Sequence, residues 1–205
     1  MELSSIFSVP VWMSEFPDFE EHQESFLTCV RNFRENNPQG IEKSNVAGYQ
    51  SPFTLQGEEE LRPLFQYVCG MAMQATQDLN FVESNIFLTQ AWVNFNDSRE
   101  CMNSEHIHGE VLSGVFYLKA PPGSGKLVIS NPGMNSLWSG CNLVKDKNEF
   151  TGERMRIQPE EGSIILFPSY LPHSVETNSH DDERISISFN LIVLPKEQFP
   201  MPTEV

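Results

Sequence analysis

The spacing of apolar residues changes near residue 85. Before it, they recur at helical steps. From Asp18 onward, Phe19, Phe26, Cys29, Val30 and Phe33 share one face until Asn36-Asn37-Pro38 ends the run. A second helix is predicted to open at Gly57, with Glu58, Glu59 and Glu60 in its first turn, where carboxylates suit the positive end of the helix dipole. Its buried stripe would be Leu61, Leu64, Phe65, Val68, Ala72, Ala75 and Leu79. Ahead of both, Phe7 to Trp12 reads as a strand that Pro10 confines to a sheet edge or a strand start.

After residue 85 the runs are short, apolar or alternating: 86–95, 112–119, 126–130, 154–158, 163–168, 173–177 and 184–194, most of them bounded by Gly, Pro, Asn or Asp. That pattern predicts an antiparallel sandwich or barrel. A jelly roll backed by two helices suits the order best. The expectation is therefore a mainly β fold with N-terminal helices in a single domain, 1–205. Residues 1–84 supply the first strand and supporting helices, 85–195 the jelly-roll core and 196–205 a tail. The polar stretch 131–152 is an insertion or lid candidate.

Charge narrows the partners. The 205 residues carry 13 Lys and Arg against 28 Asp and Glu, a formal net charge of −15. Phosphate backbones and anionic membrane surfaces need basic faces, so duplex nucleic acid and membranes are expected to be excluded. A homodimer is compatible with the composition. No basic leader or long apolar run is present, and Cys29, Cys69, Cys101 and Cys141 are dispersed without a CxxC pair. They read as reduced thiols of a cytoplasmic protein, or of a host's cytoplasm if the chain is phage-encoded; two disulfides are the alternative.

Three histidines occupy informative positions. His106 and His108, in Glu105-His-Ile-His-Gly-Glu110, point to one side if the segment is extended, and Glu110 follows on that side. His173 comes after the apolar strand Ser163 to Phe167. Two close ligands and a distant third suit a facial Fe(II) site, which leaves positions open for cosubstrate and O₂. Further on, Arg184 and Ser186 share one strand face while Ile185, Ile187 and Phe189 take the other. A guanidinium facing a barrel interior calls for an anion, which its planar fork grips as a carboxylate, and Ser186 can donate to the same group. The alternative for Arg184 is an exposed ion pair with Asp181, Asp182 or Glu183. Tyr117, Asn94 and Asn190 are candidate pocket-lining residues. Pro122-Gly-Ser-Gly-Lys126 lacks the first glycine and final hydroxyl of a phosphate loop and reads as a hairpin turn between 112–119 and 126–130.

The HxH pair, Pro172-His-Ser-Val175 and Arg184-x-Ser186 together resemble the 2-oxoglutarate and Fe(II)-dependent oxygenases, in particular the small members found in marine bacteria and phages. Ser44-Asn45-Val-Ala-Gly48-Tyr-Gln-Ser51, Trp92-Val-Asn94 and Leu112-Ser-Gly-Val-Phe-Tyr-Leu118 resemble further segments of that family. The resemblance runs from about residue 44 to 194. It implies a double-stranded β-helix, the cofactors Fe(II) and 2-oxoglutarate, O₂ as cosubstrate, and hydroxylation of a second, unidentified substrate, with peptidyl proline suggested by analogy. It further implies iron at the histidine motif and the far carboxylate of 2-oxoglutarate on Arg184. Two registers fit. His106, His108 and His173 form a three-histidine set with Glu110 beside it, which the HxH of the small oxygenases favours. His108, Glu110 and His173 form the ordinary two-His, one-carboxylate set.

Two other function classes compete. A cupin-type metalloprotein would use metal without 2-oxoglutarate; Gly162, Pro168 and His173 resemble its second motif, while Tyr170 and a late Asn178 depart from it. A non-catalytic binding or virion-associated jelly roll is the third reading. Metal content and a titration with 2-oxoglutarate separate the three.

Overall fold

The structure, a computed structural model, describes residues 8–97, 101–133, 151–178 and 182–199. Strand β1 (Trp12–Glu15) is followed by helix α1 (Phe19–Asn36), the short strands β2 (Asn45–Val46) and β3 (Tyr49–Gln50), and helix α2 (Arg62–Asp78). Eight strands complete the chain: β4 (Ser84–Asn96), β5 (Met102–His106), β6 (Leu112–Lys119), β7 (Leu127–Ser130), β8 (Arg154–Ile157), β9 (Ser163–Pro168), β10 (His173–Val175) and β11 (Arg184–Pro195).

The strands form two antiparallel sheets. One has the order β1-β9-β6-β11-β4-β3 and the other β2-β5-β10-β7-β8. This is the mainly β, double-stranded β-helix architecture that the strand pattern and the resemblance anticipated. Strand alternation builds two interiors from the six-stranded sheet. Phe116, Leu118, Ile164, Leu166, Ile185, Ile187, Phe189 and Leu191 face the helices, where they meet Phe26, Val30, Leu64, Val68 and Ala72. The opposite face points between the sheets, where Val115, Tyr117, Ile165 and Phe167 meet Leu127 and Ile129. The helices thus cover the back of the sheet and leave the space between the sheets for a pocket.

Helix α1 begins after Asp18, which sits in the left-handed region at φ 53°, and carries Glu20 and Glu21 in its first turn and Arg34 in its last, matching the dipole. The second helix differs from the expectation. Leu55–Gly57 and Glu59–Leu61 are separate 3₁₀ turns, and α2 opens at Arg62 with Pro63 in its first turn. Proline has no N–H to give the preceding turn, so it marks the helix start rather than its interior. The first strand also begins later, at Trp12.

The Pro122 to Lys126 segment is not a hairpin turn, because β6 and β7 belong to different sheets. It carries the chain across the end of the barrel, with Gly123 at φ +89°. Of the 131–152 stretch, residues 134–150 lie outside the described residues, as does Cys141. The base of the stretch is closed by Asn131, whose N–H donates to the Glu153 carbonyl at 2.8 Å and whose side chain donates to the Gly152 carbonyl at 3.0 Å. Among the described residues, Cys29 and Cys69 are free thiols, Cys101 donates its S–H to the Ala47 carbonyl at 3.0 Å, and no helix is long and apolar enough to cross a membrane.

Candidate metal centre

His106 ends β5, and in the antiparallel ladder its partner on β10 is His173. His108 lies just past the strand, where its N–H donates to the Ser169 carbonyl at 3.0 Å. The three imidazoles converge, each offering a ligand nitrogen within 4.8 Å of the others. His106 Nδ1 lies 2.8 Å from the Ser104 carbonyl, and His173 Nδ1 lies 2.8 Å from the Leu171 carbonyl. A carbonyl only accepts, so both Nδ1 atoms carry the proton and both Nε2 lone pairs are free for a metal.

The electrostatics agree with that state. Burial, then the neighbouring His106, pulls the His173 pKa down to about 3, against an opposing hydrogen bond to Leu171. His108 is lowered by burial first and His106 second, while Glu110 opposes. Imidazoles kept neutral are what a divalent cation requires of its ligands. Glu110 is near enough to act on His108, but no oxygen of it belongs to the converging set. The edge of Phe167 packs against His173, with ring centroids 4.8 Å apart, and Trp92 lies 5.6 Å from His108.

The histidines open onto a pocket between the sheets with an empty volume of about 530 Å³, mouth included. Its floor is the polar face of β11. Arg184, Ser186, Ser188 and Asn190 alternate inward, registered against Asn96, Asn94, Trp92 and Gln90 of β4. Arg184 is only 1% exposed. Its Nη1 donates to the Gly125 carbonyl at 2.8 Å and its Nη2 to Asn96 Oδ1 at 2.6 Å, while the buried Nε has no partner among the described residues. Of the surface ion pairs that competed for Arg184, the one with Glu183 is not formed, since Glu183 pairs instead with Arg31 and Lys119, and Asp181 lies outside the described residues. Burial lowers the Arg184 pKa, yet guanidinium keeps its proton at any working pH. Tyr117, buried beside it, is raised to about 12 by burial against the opposing pull of Arg184, and stays a neutral phenol.

Asn94 Oδ1 and Asn190 Nδ2 are likewise buried without partners among the described residues. Orphaned buried polar atoms of this kind are costly and ask for a ligand or water. A triad of imidazole nitrogens at one end and, among the described residues, an unneutralised guanidinium at the other fit a metal and an anionic chelator that spans the two.

The structure thus brings His106, His108, His173, Asn94, Tyr117, Arg184 and Ser186 into one pocket and leaves Glu110 out of its lining. Sequence reasoning missed Asn96, Gly125 and Asn178, which hold Arg184 from behind. Their only signal was a glycine-containing turn and an asparagine at the end of a strand, neither distinctive alone.

Residues 90–190 match the model of the family described as "Putative 2OG-Fe(II) oxygenase". No curated protein sequence matches the chain. Among solved structures, the chain is similar in fold to a Pseudomonas putida prolyl-4-hydroxylase at 15% identity and a TM-score of 0.60, over 89% of this chain and 93% of that one. It is similar to the viral collagen prolyl hydroxylase of Paramecium Bursaria Chlorella virus-1, solved as a 2OG complex, at 12% identity and a TM-score of 0.58, over 88% and 94%. The epimerase SnoN from nogalamycin biosynthesis, solved with Fe3+, alpha ketoglutarate and nogalamycin RO, gives 15% identity and a TM-score of 0.65, over 90% and 79%.

Proposed function

The chain belongs to the 2-oxoglutarate and Fe(II)-dependent oxygenase superfamily, and from that premise we propose that it hydroxylates a C–H bond of a second substrate at the expense of 2-oxoglutarate and O₂. One observation carries the reading: a converging three-histidine cluster and a buried arginine without a carboxylate partner among the described residues line the same pocket.

His106, His108 and His173 would hold Fe(II) through nitrogen. Their Nδ1 hydrogen bonds to Ser104 and Leu171 fix two of the rings before metal arrives, which cuts the ordering cost of binding. Arg184 would take the far carboxylate of 2-oxoglutarate through the N–H groups that Gly125 and Asn96 leave free, with Ser186 and Tyr117 beside it as further hydrogen-bonding groups. Val115, Leu127 and Phe167 line the pocket between the two ends and keep that stretch apolar, strengthening both charge interactions. When bound, iron and 2-oxoglutarate supply the oxidising chemistry, coupling decarboxylation of the 2-oxo acid to oxygen transfer. Peptidyl proline is the first substrate class to try, since prolyl hydroxylases stand among the structural neighbours.

Succinate formation tests the reading. The Fe(II)-supplied chain should convert 2-oxoglutarate to succinate in air, with the rate rising when a true substrate is added. No succinate above a metal-free control, with metal bound, would contradict it.

A further inference from the structure

Arg184 is one member of a closed ring of hydrogen bonds that joins three separate parts of the chain. Its Nη1 donates to the Gly125 carbonyl at 2.8 Å and its Nη2 to Asn96 Oδ1 at 2.6 Å. Asn178 closes the ring from the far side: its Oδ1 accepts the Gly125 N–H at 2.9 Å, and its Nδ2 donates to the Asn96 carbonyl at 3.0 Å. Arg184, Asn96 and Asn178 are all at most 3% exposed. The loop can approach so closely only at glycine, because a Cβ on Gly125 would lie 1.7 Å from the Glu176 carbonyl oxygen.

The ring orients the guanidinium without neutralising it. Both groups that accept from Arg184 are uncharged, a peptide carbonyl and an amide. They use two of its five N–H groups, and the buried Nε–H is left over. A carboxylate in place of either acceptor would satisfy the charge internally and leave nothing for a ligand. Asn178 suits its place because one side chain must both donate and accept, which Asp, Ser or Ala cannot do at two fixed points.

We propose that Asn178 is a positioning residue that sets selectivity for a dicarboxylic over a monocarboxylic 2-oxo acid: by clamping Gly125 to Asn96, it holds Arg184 in the one orientation that meets a second carboxylate. The proposal rests on the reading of this pocket as the 2-oxoglutarate site. It assigns Asn178 no contact with the ligand, and its effect is confined to the end of the ligand remote from the metal.

Calorimetric titration of the Mn(II)-loaded full chain tests it, comparing 2-oxoglutarate with 2-oxobutyrate, which keeps the 2-oxo acid and lacks the far carboxylate. The wild type should prefer 2-oxoglutarate by about 100-fold or more, the scale of charge-assisted hydrogen bonds. Asn178→Ala should cut that preference by about tenfold, through weaker 2-oxoglutarate binding alone, with affinity for 2-oxobutyrate and for Mn(II) unchanged. Retained preference, or equal weakening of both acids, overturns the proposal. Should that variant not fold, Asn178→Ser, which stays uncharged and can keep at most one of the two hydrogen bonds, is read the same way with a smaller loss expected. A wild type that binds both acids alike, or neither, overturns instead the reading of the pocket.

Discussion

His173 and His106 face each other directly across two antiparallel strands, with ring centroids 4.3 Å apart, and each ring is held by the carbonyl two residues before it. The same local device on both strands turns two Nε2 atoms toward one point. His108 joins them from the loop, so the converging atoms are all nitrogens.

The two ligand registers make opposite predictions. Removing His106 should weaken Fe(II) or Co(II) binding by about 100-fold or more, whereas Glu110→Gln, which removes the charge acting on His108, should change it by about threefold at most. Metal titration of both variants reads this out. The reverse ranking would establish His108, Glu110 and His173 as the ligands.

Acid should destabilise the metal-free protein. His173 has a folded pKa of about 3, below its unfolded value near 6.5, so the unfolded chain takes up the proton first and stability falls with pH between those limits. At pH 5 the loss from this residue alone is about 2 kcal/mol relative to pH 7.5. Denaturant melts at the two pH values should show it, and His173→Asn should remove most of it. An equal pH dependence in the variant would assign the effect elsewhere.

Gly114 should tolerate no side chain. A Cβ there would lie 2.4 Å from Phe189 Cε2 and 2.8 Å from the Ile165 carbonyl oxygen. Gly114→Ala is expected to cost about 1–3 kcal/mol, because Phe189 is packed under the helices and has little room to move. Thermal melts check this, with Gly109→Ala as the control, since nothing lies within 4 Å of a Cβ at that position.

Tyr117→Phe should leave the fold intact and weaken 2-oxoglutarate binding less than Arg184→Ala does. The phenol is neutral, so the change forfeits a neutral hydrogen-bonding group, about threefold to tenfold in affinity, against the larger loss of a charged one. Calorimetry on the two variants orders the effects.

Much of this was legible because burial imposes a period. On β11 the alternation of Arg184, Ser186 and Ser188 with Ile185, Ile187 and Phe189 is the difference between the pocket face and the helix face, and sequence alone displays it. Strand β5 gave a weaker signal, since Met102–His106 is largely polar and its apolar content cannot mark a face. The acidic run at Glu58 to Glu60 looked like a first helical turn, but Pro63 decided where the helix could start. The brace behind Arg184 was not legible at all. It depends on Gly125 meeting residues 176 and 178 across the barrel end, and turn chemistry at Pro122 to Lys126 does not say which sheet the chain enters next.

In the proposed reaction, metal and arginine serve one bound 2-oxo acid. Anaerobic addition of 2-oxoglutarate to the Fe(II)-loaded chain, followed by visible absorption, tests it most directly. The wild type should show an iron-to-ketoacid charge-transfer band, half-formed only at about tenfold or more higher 2-oxoglutarate in Arg184→Ala and absent in His173→Ala. A wild type that binds iron yet shows no band, or an Arg184→Ala variant with the wild-type midpoint, would contradict it.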